Sequence, residues 1–370
     1  MQRRQPEPID DAYVTSLYRL ATESGLDHVG IAPAAVMERA RAALVERKAQ
    51  GLNDTMEFTY RNPTRSTDPA RAVRGAQAMV VAARSYALDT APVPDTDAGP
   101  MGAVARYAWA DHYAPLRAGL QAIVSRLRAD GYKAVAFADD NSVVDREAAW
   151  LAGLGWFGKN ANVLVPGAGS FFVLGSVITT APLPPAAAPQ ADGCGTCRRC
   201  IDGCPTQAIV APGVVDAGRC LAWLLQRPGI FPHPFRAALG NRIYGCDECQ
   251  LVCPPTVRFE RRPRGTPLTI SMPISMATAT GTATGTAVET VGDPERACNS
   301  PALQAWAPLL HLLGADDQDL LATYGRWYLA DRNPVWLRRN ALVALGNVGD
   351  AGDARVPAVL SHYLGSAEPV

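Results

Sequence analysis

Eight cysteines between residues 194 and 253 constrain this chain more than any other feature of its sequence. Cys194-x2-Cys197-x2-Cys200-x3-Cys204-Pro205 has the spacing of a bacterial ferredoxin run. Three thiolates so close together can hold three irons of one 4Fe–4S cube. The fourth, before proline, points to the other cluster of a two-cluster protein. A second run, Cys246-x2-Cys249-x3-Cys253-Pro254, is one ligand short, and the isolated Cys220 can supply it. The spacing therefore predicts a crossed pairing. One cluster takes Cys194, Cys197, Cys200 and Cys253; the other takes Cys204, Cys220, Cys246 and Cys249. Two structural zinc sites could also use eight cysteines, but the x2-x2-x3-Pro run favours cubanes. The ninth cysteine, Cys298, is left over and is expected to be a free thiol.

The rest of the composition sets bounds. With 370 residues, 48% apolar and 19% charged, the chain can bury a sizeable core in two or three domains. Lys+Arg and Asp+Glu are both 35, so a globally basic nucleic-acid binder is excluded and any such contact must be local. No apolar run approaches the roughly 18 residues of a membrane span. Arg3 and Arg4 have no apolar stretch behind them, so neither a secretory nor a twin-Arg signal is expected. A cytoplasmic, non-membrane location follows as an expectation. In such a reducing compartment, clustered cysteines mean metal or catalysis before disulfides.

Along the chain, four segments are expected. Residues 1–180 alternate helical and strand-like stretches, including an apolar run at 78–84 that reads as a buried strand. Residues 181–265 begin with a Pro/Ala linker and carry the cysteines, and 266–304 are a low-complexity linker. Residues 305–370 read as helical, with 336–350 and 356–364 paired across a Gly/Asn/Asp turn like a HEAT-type repeat. The expected class is α+β: an α/β first domain, a ferredoxin-like double-cluster module and a C-terminal helical repeat.

A cluster module accounts for about 60 residues, so the remainder must use the electrons. The densest stretch is 138–180, with Gly153, Gly155, Gly158, Gly167, Gly169 and Gly175, the rare lysine Lys159 beside Asn160, and adjacent carboxylates Asp139 and Asp140 after a predicted strand. It has neither a G-x-G-x-x-G after a strand nor a Walker A loop. Read alone, it is a cofactor or substrate pocket of unspecified type.

Five motifs carry a resemblance: GLGWFGKN (153–160), GSFFVLG (169–175), CGTCRRCIDGCPTQAI (194–209), IYGCDECQLVCP (243–254) and LRRNALVALGNVGD (337–350). Together, and in this order, they resemble the epoxyqueuosine reductase family, which is similar in architecture to corrinoid reductive dehalogenases. The resemblance implies an oxidoreductase with cobalamin and two 4Fe–4S clusters, reducing epoxyqueuosine to queuosine at the tRNA wobble position. It places the family's acid at Asp139, with Asp140 as the rival; either could instead cap the following helix. Arg106, Asp111, Asp139, Phe157, Lys159 and Asn160 are expected to line the corrinoid pocket, with no protein ligand assigned to cobalt. The alternative is a dehalogenase-like corrinoid reductase acting on another small molecule; an electron-transfer module without catalysis is a third reading.

Residues 194–264 hold ten arginines against five acids, a local excess suited to tRNA phosphates, and Arg338 and Arg339 could extend it. Expected partners are a tRNA anticodon stem-loop and an external electron donor such as a flavodoxin or ferredoxin. A monomer is expected.

Overall fold

The computed structural model describes residues 9–87, 91–94, 98–185, 189–262, 268–270, 288–290 and 303–365, the two three-residue stretches for backbone only. The N-terminal part runs α1 (Asp11–Glu23), β1 (His28–Pro33), α2 (Glu38–Ala49), α3 (Pro63–Ser66), α4 (Pro69–Ala72), β2 (Ala78–Ser85), β3 (Met101–Val104) and α5 (Tyr113–Ala129). It continues with β4 (Ala134–Phe137), α6 (Asp145–Leu151), β5 (Trp156–Phe157), β6 (Val163–Leu164) and β7 (Phe172–Thr179). The cysteine-rich part contains α7 (Arg199–Asp202), β8 (Ile209–Ala211), β9 (Val214–Val215), α8 (Leu221–Leu224), α9 (Arg236–Leu239), β10 (Arg242–Tyr244), α10 (Glu248–Leu251) and α11 (Pro254–Glu260). Then come β11 (Leu268–Ile270), β12 (Val288–Thr290), β13 (Trp306–Pro308), α12 (Leu309–Gly314), α13 (Asp317–Tyr324), α14 (Val335–Val348) and α15 (Arg355–Leu364).

The main sheet has the order β1-β2-β7-β4, and every neighbouring pair is antiparallel. The expected α/β label for the first part is therefore corrected to α+β: its strands return by antiparallel pairing, without parallel crossovers. The apolar run of β2 is buried on both faces, with Ala78–Ala83 no more than 2% exposed. Two close approaches explain how. Gly30 lies on the same pleat face as Val81 and Ser176, and a Cβ there would meet the backbone oxygen of Ala152, just after α6. Gly175 lies opposite Ala82 on the other face, and a Cβ there would meet Leu120 of α5. The pleat thus puts α5 and α6 on opposite faces, and the missing side chains let both helices close on the sheet. The stretch 162–180 is not one strand: the chain reverses between β6 and β7, where the Val165 N–H donates to the Gly169 carbonyl.

A second sheet, β10-β3-β13, joins strands from three of the expected segments. Its core includes Ile243 and Tyr244, together with Leu309, Leu312, Leu337, Ala341 and Ala344 from the C-terminal helices. Tyr244 stacks on Trp327 with ring centroids 4.6 Å apart. Segments 1–180, 181–265 and 305–370 therefore all contribute to this second core. Within 266–304, β11 pairs with β12, so that stretch is not all irregular linker. Cys298 and most of the tract 275–292 lie outside the described residues. Among the described residues no helix is long and apolar enough to cross a membrane.

The C-terminal helices brace the cysteine module through a buried cation. Arg339 on α14 is 2% exposed and donates to the carbonyls of Leu224, Arg227 and Gly229. Asn340 beside it donates to the carbonyls of Leu225 and Ile243. Burial, and then the nearby Arg227, pull the guanidinium pKa down to about 10. Arg338 pairs with Asp317. The expectation that Arg338 and Arg339 extend a phosphate-binding patch is therefore corrected, because one is consumed inside the structure and the other is paired.

Replacing Arg339 by Met strands three carbonyls and the Asn340 side-chain oxygen. Denaturant unfolding should show a loss of about 3 kcal/mol or more. Arg338→Ala, whose partner is open to water, should cost less than about 1 kcal/mol. Equal small effects would show that Arg339 is not a brace.

Candidate active site

A cavity of about 870 Å³ lies between the first sheet's helices and the cysteine module. Its wall draws on α2, on Tyr86, Tyr107 and Tyr113, on Asp139 and residues 143–147, on the Gly-rich stretch, and on the module. Cys204, Cys220, Cys246 and Cys249 line it, whereas Cys194, Cys197, Cys200 and Cys253 stand outside that wall.

All eight of these cysteines are free thiols. Their mutual electrostatics fall into two groups joined by one link. Cys253 interacts with Cys200, Cys194 and Cys197. Cys249 interacts first with Cys246 and Cys220, and Cys220 interacts with Cys204. A weaker link between Cys249 and Cys200 joins the sets. Burial is the main cause that lifts Cys200, Cys220, Cys246, Cys249 and Cys253, Cys246 to about 12 and Cys253 to about 11. Bare thiolates would be costly in such surroundings; an iron–sulfur core offsets that cost by binding each sulfur as a thiolate. Among the described residues, no three of His, Cys, Asp and Glu close around a single metal ion.

The residues expected to line a corrinoid pocket divide. Asp139, Phe157, Lys159 and Asn160 reach the cavity. Arg106 and Asp111 are not part of its wall, which corrects that expectation. The Arg106 guanidinium pairs with Glu260 and stacks on Phe171, and its backbone N–H donates to Asp247. Asp111 is exposed and accepts from the Ala114 N–H in the first turn of α5. Lys159 and Asn160 spend their polar atoms on the module. Lys159 Nζ donates to the carbonyls of Gly195 (2.6 Å) and Cys197 (2.9 Å). Asn160 Nδ2 donates to the carbonyl of Cys249 at 3.1 Å. These two side chains bind the Gly-rich stretch to one loop from each cysteine set. Phe157 takes the Arg39 guanidinium on its ring at 4.3 Å, Trp150 takes it at 4.0 Å, and Glu147 pairs with it.

Asp139 follows β4 with φ of +56°, a left-handed conformation that aspartate adopts more readily than most residues. Its carboxyl is open to the cavity and its pKa is raised, by burial first, with Arg117 opposing and Asp140 adding. Asp140 does not line the cavity; its side chain accepts from the Ser142 N–H in a local turn. Neither carboxylate caps α6, whose N-cap is Val144.

Sequence reading missed several groups here. Asp145, the first residue of α6, is half-buried, lines the cavity, and has one buried side-chain oxygen, Oδ1, with no partner. Burial and then the Asp139 charge push its pKa well up. Burial likewise holds the Tyr86, Tyr107 and Tyr113 phenols neutral. The signal for Asp145 lay in the Val143-Val144-Asp145-Arg146 tetrad, but only contact across the fold shows that it meets Asp139.

Residues 193–256 match the 4Fe-4S double cluster binding domain. An epoxyqueuosine reductase of Xanthomonas campestris is 38% identical over 262 residues, covering 68% of this chain and 71% of the relative. One from Bacillus anthracis is 30% identical over 353 residues, covering 94% and 83%. The chain belongs to the epoxyqueuosine reductase family. A crystal structure of a family member with an epoxyqueuosine-modified tRNA-Tyr stem loop superposes with a TM-score of 0.76 at 25% identity, covering 97% of this chain and 86% of that one. A Bacillus subtilis member, solved with its catalytic aspartate loop swung out of the active site, gives 0.75 at 25% identity, covering 97% and 87%.

The crossed pairing has a direct check. Cys253→Ala and Cys197→Ala should each lose the same cluster, and the double variant should lose no more iron than either one. Combining Cys253→Ala with Cys220→Ala should strip both clusters, from about eight irons to near none. If Cys253→Ala and Cys220→Ala instead remove the same cluster, the pairing is wrong.

Proposed function

We propose that this chain reduces epoxyqueuosine to queuosine at the wobble position of tRNA, using cobalamin in the cavity and two 4Fe–4S clusters held by the eight cysteines. The observation that carries the reading is the cavity itself, in a chain of this family. Four thiols of one set occupy its wall and an acid of raised pKa, Asp139, shares it. Its size and mixed walls, with phenols, Asp139, Asp145 and Phe157 converging, suit a large amide-bearing ring. When bound, cobalamin supplies the reduced metal centre for the substrate, and the clusters supply electrons singly.

The chain's own residues do the rest. Cys204, Cys220, Cys246 and Cys249 bind the cluster next to the cavity, and Cys194, Cys197, Cys200 and Cys253 bind the outer one. Lys159 and Asn160 fix both against the pocket. Asp139 donates a proton to the epoxide oxygen, and surrounding protein keeps its carboxyl protonated to higher pH than in water. An external one-electron donor of the flavodoxin or ferredoxin type supplies the module, and the chain acts as a monomer.

For tRNA, the exposed arginines of the module are Arg198, Arg199, Arg258, Arg261 and Arg262. Arg198 shares an exposed ion pair with Asp202, the half-buried Arg227 and Arg242 are taken by Asp54 and Glu248, and Arg264 lies outside the described residues. The five exposed cations form the surface assigned to the anticodon stem-loop.

Anaerobic reconstitution with iron, sulfide and cobalamin, followed by turnover of epoxyqueuosine-containing tRNA under a strong reductant, should yield queuosine. Asp139→Asn should keep cobalamin bound and cut turnover by about 100-fold or more. Full turnover in that variant would remove the acid assignment. Replacing two of the five exposed arginines with Ala should lower the slope of log K against log salt by about two. An unchanged slope would place tRNA elsewhere.

A further inference from the structure

Reducing an epoxide to an alkene breaks both carbon–oxygen bonds of the ring, forms the carbon–carbon double bond and releases the oxygen as water. The balance needs two electrons, which the external electron-transfer protein supplies through the module, and two protons. Asp139 can store only one of them. We propose that Asp145 is the proton reserve for Asp139, its buried carboxyl carrying the second proton and passing it to Asp139 once the first has gone to the epoxide oxygen.

The placement supports this. Asp145 and Asp139 line the same cavity, and the backbone amide of Asp139 supports the Asp145 carboxylate. The Asp145 side-chain oxygen Oδ1 is buried and has no hydrogen-bond partner, so an ionised carboxylate there would be poorly compensated. The groups facing Asp145 are Asp139 and Asp140 from the loop after β4, Arg146 on its own helix and Tyr113 on α5. Of the strands packed on α6, β1 carries His28, set edge-on to Phe172, and β2 carries Arg84; β6 and β7 carry no titratable side chain. Of these groups, Asp139 and Asp145 ionise in sequence, and the more buried Asp145 keeps its proton to the higher pH. After Asp139 gives up its proton, Asp145 passes its own to Asp139 as a minor fraction that the second transfer to the leaving oxygen draws off, and cavity water recharges Asp145. Asp145 acts through Asp139 and is a positioning residue for its proton.

This inference rests on the function proposed above, and its test separates the two. Asp145→Asn keeps the shape and neutrality of the protonated acid but has no proton to give. Infrared spectroscopy of the protein without cobalamin should show the carbonyl stretch of a protonated, weakly hydrogen-bonded acid at neutral pH, lost in Asp145→Asn. In the holoenzyme, Asp145→Asn should retain cobalamin and iron, lower the rate about tenfold at neutral pH, and move the alkaline limb of the pH–rate profile down by about one unit or more. Asp145→Glu should restore the wild-type limb and shift the infrared band. A wild-type band that survives Asp145→Asn, or a rate lowered uniformly with the limb unmoved, overturns the proposal. Should Asp145→Asn not fold, a band unshifted in Asp145→Glu overturns it equally. Failure of the wild type to convert epoxyqueuosine would instead strike at the functional reading.

Discussion

The structure depends on a short set of hydrogen bonds between the Gly-rich stretch and the cysteine loops. Lys159 holds the carbonyls of Gly195 and Cys197, and Asn160 holds that of Cys249. Each tie reaches a different cysteine set. Through them, the position of β5 and β6 beside the sheet fixes where both sets of thiols lie relative to the cavity. Without them, eight flexible side chains on short helices and loops would have no fixed distance to Asp139 or to the tyrosines. Preorganisation of this kind is what a redox site needs, because both electron and proton delivery fall steeply when reacting groups drift.

Two other constraints keep that arrangement rigid. On one side, glycines at 30 and 175 let α6 and α5 clamp the antiparallel sheet, so the start of α6 and the loop after β4 are held where Asp145 and Asp139 meet. On the other side, α14 inserts Arg339 and Asn340 into the carbonyl-rich turn around residues 224–229 and under β10. The chain segment between Cys220 and Cys246 thus has its shape set by the C-terminal helices, although those helices contribute nothing to the cavity wall. The module is inserted into the fold and braced from both ends.

The double-cluster module was legible because ligand spacing is a covalent constraint, readable from numbers along the chain. The main helices were legible from periodicity and the buried β2 from its continuous apolar run, all of whose residues from Ala78 to Ala83 are buried. What sequence could not supply was contact between distant residues. Arg339 looks like a surface cation until the carbonyls that receive it are seen. The resemblance to the family put Arg106 and Asp111 in the pocket, yet one is paired with Glu260 and the other supports a helix start. Asp145 was masked by its ordinary place at a helix N-terminus, where a carboxylate needs no special reason. The three-part sheet β10-β3-β13 was hidden because each strand is three or four residues long and belongs to a different stretch of chain.

The central claim is that one set of thiols, and not the other, places its cluster beside the bound cofactor. Pulsed electron paramagnetic resonance on the anaerobic holoenzyme can test it, by reading the dipolar coupling between bound cobalt and a reduced cluster. With the outer cluster removed by Cys197→Ala, the account predicts that a strong coupling remains. With the inner cluster removed by Cys249→Ala, it predicts that the coupling falls to a weak one or vanishes. The reverse pattern, or no cobalt retained by the wild type, would contradict it.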